Sequence, residues 1–252
     1  MGYAIETVKL RKEYKSTVAV KDISLKIKEG GIFSLLGVNG AGKTTTLRML
    51  TGLSKPTSGE AYVFGNSIKD NPEQIKELEN LSPQETSVAP NLTVRENLDF
   101  IARIYGMDKN TAAERVEEII RRFSLQEVEQ KKAKLLSGGW QRRVSIAMGL
   151  ISRPRILFLD EPTLGLDVLA RREVWEILED IRKTTTIVLT THYMEEAESL
   201  SDEVAVMAAG EIKAQGTVQE LKERTGQDSL EKAFVEIVRA GQNREEKGGM
   251  AE

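Results

Sequence analysis

Gly37, Val38, Asn39, Gly40, Ala41, Gly42, Lys43, Thr44 and Thr45 are the nine residues whose reading decides the fold of this 252-residue chain. They follow the apolar run Ile32, Phe33, Ser34, Leu35, Leu36 and precede Leu47, Met49 and Leu50 at helical spacing, so they join a strand to a helix through a glycine loop. Glycines admit positive φ and let backbone amides converge, and a helix start adds unsatisfied N–H groups and a positive dipole end; together they form a cradle for phosphate. Lys43 then supplies a point charge for the β and γ phosphates of a nucleotide, and the Thr44 hydroxyl a ligand for magnesium.

Composition narrows the function classes. Thirty-six basic against thirty-nine acidic side chains give a formal net charge of −3, without the basic footprint of a nucleic-acid binder, so no DNA or RNA partner is expected. No apolar run reaches the roughly 18 residues of a membrane span, and the first residues lack a signal-peptide pattern, so any membrane role is expected to pass through another chain. The absence of cysteine excludes disulfides and thiolate metal sites.

Outward from the loop, residues 4–36 read as short strands: Ala4–Leu10, then Val18–Ile27, in which Ile23, Leu25 and Ile27 alternate with polar neighbours. Tyr14, in the loop between them, reads by default as a surface aromatic, although a ring held there can stack on a purine. Glu60–Phe64 is a further strand, and residues 72–84 read as a weak helix ending near Ser82 and Pro83, with Gln84 exposed after the proline. From 85 to 152 strand signals vanish. Three helices are expected, Val94–Tyr105 with Thr93 and Glu96 as a capping box, Ala112–Phe123, and Gly138–Ile151.

The third of these starts at Leu136, Ser137, Gly138, Gly139, Trp140, where serine can cap or donate and the glycines bare backbone amides. Trp140 shares a helix face with Val144, Ala147 and Ile151 and is expected to pack. Ile156–Leu159 is a strand buried on both faces that ends in Asp160 and Glu161, where open α/β sheets bind ligands. Asp160 suits magnesium, Glu161 an attacking water, and Asp167 the cap of the helix over 168–182. The strand Thr186–Thr190 leads to Thr191 and His192, the only histidine; a lone histidine is structural by default, but this one ends a strand as Asp160 does. Strands 203–207 and 211–215 and an amphipathic helix through Leu230, Phe234 and Ile237 close the pattern, and the last dozen residues read as disordered.

In order and spacing these pieces resemble the ATP-binding cassette ATPases from about residue 5 to residue 225. Tyr14 looks like the adenine-stacking aromatic, Gly37–Thr45 the Walker A loop, Gln84 the Q-loop glutamine, and Leu136–Gly139 the signature. Ile156–Asp160 looks like the Walker B strand, Glu161 the catalytic glutamate, Leu166 and Asp167 the D-loop, and His192 the switch histidine. The sequence departs from the family in placing Trp140 where glutamine commonly follows the two glycines, and Thr163, Leu164, Gly165 before the D-loop. Both departures resemble the branch that exports drugs, antibiotics and lipids.

The resemblance implies an α/β fold: a P-loop NTPase core with a mixed sheet, an N-terminal antiparallel β subdomain and an inserted α-helical subdomain. It implies an ATPase domain over 1–225, with core at 1–84 and 153–225 and helical subdomain at 85–152, then a C-terminal helix and flexible tail at 226–252. ATP and Mg2+ are the implied cofactors. Gly37, Asn39, Gly40, Ala41, Gly42, Lys43, Thr44 and Thr45 hold the nucleotide with Tyr14, and Ser137, Gly138, Gly139 and Asp167 meet it from a second cassette. Thr44, Gln84 and Asp160 serve the metal, and Glu161, His192 and Gln84 the chemistry. The implied partners are a second ATPase chain, identical or not, and a separate transmembrane permease holding this one at the inner face of the cell membrane. A single cassette acting on ribosomes or in regulation is the alternative. The ribosomal type normally carries two cassettes and a basic linker, which this chain lacks.

Overall fold

The structure, a computed structural model, describes residues 2–248, and side chains as far as residue 241. It falls into two compact units, one of the chain up to Ile75 and from Val188 onward, the other Lys76–Ile187.

The first unit opens with β1 (Tyr3–Tyr14), β2 (Thr17–Ile23), β3 (Lys26–Lys28) and β4 (Ile32–Leu36), followed by α1 (Lys43–Leu50), β5 (Ser58–Val63) and β6 (Asn66–Ser67). β1 pairs antiparallel with β2, β3 and β5, and β6 closes that sheet on β5. The single strand expected over Val18–Ile27 is two strands. Asp22 has a left-handed φ of 46°, and the buried Thr7 hydroxyl donates to Ile23 O (3.1 Å) and accepts from Leu25 N (2.8 Å), filling the gap between them. The alternation survives the break, since Ile23, Leu25 and Ile27 are all buried.

α2 (Pro72–Leu78) runs into the second unit, and there the sequence reading is corrected. Residues expected to extend that helix form β7 (Glu79–Ser82), which pairs in parallel with β8 (Ile156–Asp160) from Glu79 opposite Ile156 to Ser82 opposite Leu159. Four residues carry too little local signal to announce a strand. The ladder is supplied by a partner 77 positions away.

α3 (Val94–Ile104), α4 (Lys109–Arg122) and α5 (Gly138–Gly149) precede β8, and α6 (Val168–Ile181) follows it. α3 has the expected capping box, Glu96 N donating to Thr93 Oγ1 (3.1 Å) and Thr93 N to Glu96 Oε2 (2.7 Å). Asp108 caps α4, and Asp167 caps α6 by accepting from Ala170 N at 2.9 Å. All five residues of β8 are buried, as are those of β4, which is why both read as largely apolar runs, broken only by Ser34 in β4 and ended by Asp160 in β8.

β9 (Thr186–Thr191) carries the chain back to the first unit, which ends with α7 (Met194–Leu200), β10 (Glu203–Ala208), β11 (Glu211–Gly216), α8 (Val218–Thr225) and α9 (Leu230–Gly248). β10 is parallel to β4 and antiparallel to β11, so the sheet is mixed. Leu36, Val204 and Val206 meet Leu221, Leu230 and Phe234 in one apolar cluster, which docks α8 and α9. α9 continues through Arg244–Lys247, where loss of order was expected; residues 249–252, the rest of that expectation, lie outside the described residues.

Candidate functional site

The predicted residues fall into two sets, one in each unit. In the first, β4 delivers the chain to Gly37, whose N–H donates to Thr191 O at 3.1 Å, so the start of the glycine loop is bonded to the residue before His192. Ala41 N closes the loop on Val38 O (3.1 Å), and Ala41 O accepts from Gly210 N (3.0 Å). Gly42 is the N-cap of α1 at φ 107°, and a Cβ there would stand 2.5 Å from Ala19 O. Only glycine fits, on both backbone and packing grounds.

No side chain caps α1. The buried Lys43 ammonium donates to Gly37 O (2.7 Å) and Val38 O (3.3 Å), lying back along the loop that a phosphate would fill. Thr44 and Thr45 begin the helix beside it, while Asn39 and Gly40 form the turn, Gly40 at φ 79°. His192 is half-buried with its ring centroid 4.2 Å from that of Tyr193. Tyr14, expected in a loop, is instead the last residue of β1, which runs on because Tyr14 pairs with Thr17 of β2; it is 45% exposed, with the Lys12 ammonium 4.9 Å from its centroid. An open ring already facing a cation has a face available for stacking.

In the second unit, Asp160 ends β8 and Glu161 follows it, and both are buried. Glu161 has φ 49°, a left-handed conformation rare for a side chain of that size. Gln84 is exposed, two residues past the end of β7. Ser137 is the N-cap of α5, yet its side chain makes no capping hydrogen bond. At Gly139 a Cβ would stand 2.9 Å from the Cβ of Ala170, so α5 and α6 approach closely through the signature glycines. Trp140 is half-buried, with the Arg143 guanidinium 4.4 Å from its ring, and Arg143 in turn bonded to Glu173 at 3.3 Å.

One residue in this set escaped the sequence reading. Arg142 is buried on α5 and donates to the main-chain carbonyls of Pro83, Asp160, Glu161 and Pro162. The only signal for it was a charge one turn ahead of the buried Ile146. Arg115 of α4 serves the other end of α5, donating to Leu150 O and Ile151 O.

No group of three or more His, Cys, Asp or Glu among the described residues can hold a metal ion. Magnesium needs no such group: it keeps waters and takes substrate phosphates with one or two protein oxygens. The side chains expected to serve it, Thr44 in the first unit and Gln84 and Asp160 in the second, each carry a hard oxygen of the kind magnesium takes. No helix among the described residues is long and apolar enough to cross a membrane.

Comparison with known proteins accords with this arrangement. A family model described as ABC transporter matches residues 20–164. The phospholipid-transporting ATPase ABCA3 of Homo sapiens is 43% identical over 212 residues, which are 84% of this chain and 12% of that protein. The daunorubicin/doxorubicin resistance ATP-binding protein DrrA of Streptomyces peucetius is 41% identical over 228 residues, 90% of this chain and 69% of that one. An ATP-binding cassette solved as a dimer in a post-hydrolysis state with ADP and Pi superposes with a TM-score of 0.76 at 27% identity, over 84% of this chain and 98% of that one. A glycine loop at the start of a helix with no side-chain cap, two carboxylates after a buried strand and these likenesses lead to one assignment: the chain belongs to the ABC transporter family.

Proposed function

We propose that this chain binds MgATP, closes head to tail with a second cassette, and hydrolyses ATP to drive export of a drug-like or lipid-like compound through a permease on another polypeptide. One observation carries the proposal: α1 begins at a left-handed glycine with no side-chain cap, and a buried lysine lies across the loop. A helix start of this kind turns backbone N–H groups and a positive dipole end toward the loop, where an anion with several oxygens can bind. The names of the relatives, a drug-resistance ATP-binding protein and a phospholipid-transporting ATPase, support the substrate class. A homologous cassette solved as a dimer supports the pairing.

Residue by residue, Tyr14 stacks on adenine while Gly37–Thr45 and Lys43 hold the phosphates. Glu161 accepts a proton from the attacking water, which His192 helps to position. Thr44, Gln84 and Asp160 hold magnesium, which when bound spreads the negative charge of the β and γ phosphates. Ser137, Gly138, Gly139 and Asp167 complete the partner's nucleotide site, so ATP becomes part of the interface and its hydrolysis reopens the pair. Residues 85–152 form the helical subdomain, and Gln84 at its start reports loss of the γ phosphate to the segment that docks on the permease.

The test is Glu161→Gln. ATP binding should persist in calorimetry, turnover should fall at least about 100-fold, and a nucleotide-dependent dimer should accumulate on sizing. Steady-state hydrolysis at the unaltered rate would reject the role of Glu161. Recovery of a membrane protein with the chain, and stimulation of hydrolysis by it, tests the permease.

A further inference from the structure

We propose that Arg142 is a positioning residue for hydrolysis: one buried guanidinium fixes the left-handed backbone at Glu161 and ties it both to α5 and to the residue before Gln84. The inference rests on the reading of Glu161 as the base and goes beyond it, by naming what holds that base in place.

The geometry is specific. Arg142 Nε donates to Pro162 O at 2.6 Å, Nη1 to Pro83 O at 2.6 Å, and Nη2 to both Asp160 O (3.0 Å) and Glu161 O (2.6 Å). The side chain is 3% exposed. In a regular strand successive carbonyls point to opposite sides, so three in a row cannot meet one donor group. Here Asp160, Glu161 and Pro162 do present theirs to a single guanidinium, and Glu161, at the centre of the three, has φ 49°. The left-handed residue breaks the alternation and turns the carbonyls together. It is strained for a glutamate and persists only where its surroundings over-determine it.

Arg142 supplies that determination. Without it several buried carbonyls would lose a strong donor, and the turn could relax toward extended backbone, swinging the Glu161 carboxylate away from its place. The fourth bond, to Pro83, makes the same planar group a joint between the residue before Gln84 and the carboxylate-bearing turn. Ser137, Gly138 and Gly139 stand one turn earlier on the helix that carries Arg142. A displacement of α5 or of the segment at Gln84 is therefore transmitted to Glu161 through four hydrogen bonds rather than through the whole unit. Lysine cannot substitute: its three donors radiate from one atom and cannot span Pro83 and Pro162 together.

Arg142→Lys and Arg142→Ala are to be compared with the unaltered chain and with Glu161→Gln, using steady-state hydrolysis, calorimetric ATP binding and thermal melting. Both Arg142 variants should lose about 10- to 100-fold in kcat while KM and ATP affinity stay within about threefold, since a misplaced base slows chemistry without weakening ground-state binding. Guanidinium at low millimolar concentration should restore part of the turnover of Arg142→Ala, saturably, where methylammonium does not. If Glu161→Gln is inactive and Arg142→Lys keeps turnover within twofold, the inference is overturned and the reading of Glu161 stands. If Glu161→Gln itself turns over normally, the reading beneath it fails. Should Arg142→Ala not fold, Arg142→Lys decides; loss of ATP affinity and melting temperature in proportion to its turnover would make Arg142 a purely structural residue and refute the proposal.

Discussion

The starts of α3 and α5 lie in the same unit and begin almost alike, yet they do opposite things with a hydroxyl. Thr93 stands at φ −68°, ψ 167° and Ser137 at φ −64°, ψ 162°, both extended, both followed by a helix. Thr93 accepts from the amide three residues on and has its own amide taken by Glu96, so that end is closed. Ser137 caps nothing, and three residues on stands Trp140, which cannot reach back as Glu96 does. On the function proposed above, the difference is what sets the anion-binding helix end at α5 apart from the structural one at α3. The backbone is the same, and the partner side chain is withheld.

Removing the two hydroxyls by substitution with alanine should give crossed results. Ser137→Ala should leave the melting temperature within about 1 °C, having no cap to remove, and lower turnover about 100-fold if the hydroxyl meets the γ phosphate of the partner's ATP. Thr93→Ala should leave turnover alone and lower stability by about 1 kcal/mol, seen as a melting shift of a few degrees. A stability loss at Ser137 equal to that at Thr93 would erase the distinction.

A third way of treating a polar group in this unit sharpens the contrast. Glu79 at the start of β7 is buried, its Oε2 lacks a hydrogen-bond partner, and burial pushes its carboxyl from 4.5 up to about 8. The folded state therefore holds this proton more tightly than the unfolded state. Its contribution to stability is complete below pH 4.5 and is lost as pH climbs through about 8. Glu79→Gln, permanently neutral, should melt several degrees above the unaltered chain at pH 9 and close to it at pH 4.5, in scans across that range. A constant difference between the two proteins at every pH would break this account.

The smallest effect is expected at Trp140. Trp140→Gln would place at α5 the third-position side chain that α3 has, able to reach the amide of Ser137, while losing the stack on Arg143. These terms are each a fraction of 1 kcal/mol and opposed, so the melting temperature should move by about 1 °C or less and turnover by less than about twofold. A tenfold loss of turnover would make the ring itself part of the working surface.

Local devices were legible because their chemistry is complete within a few residues. The glycine loop, the pairing of Thr93 with Glu96 and the cap at Asp167 each carry donor, acceptor and spacing in one short stretch. By that standard α8 should have been read as well, since Thr217 and Glu220 repeat the pattern of Thr93 and Glu96. What stayed hidden depends on remote partners. β7 is a strand because β8 lies beside it, and Val18–Ile27 breaks because the Thr7 hydroxyl occupies the gap. Arg142 reads as a surface charge on a helix until the carbonyls around it are seen.

The amino-acid sequence by itself determined the glycine loop, the carboxylates after the buried strand and the serine and glycines at the start of α5, and with them the family. Those are demands of small groups on a ligand, met by residue types at short spacing. Only the tertiary structure decided that Ser137 withholds its cap, that Glu161 sits in a left-handed turn, and that one guanidinium holds that turn. Each of these is a question of which buried polar atoms meet, and the chain answers it only when segments tens of residues apart are folded together.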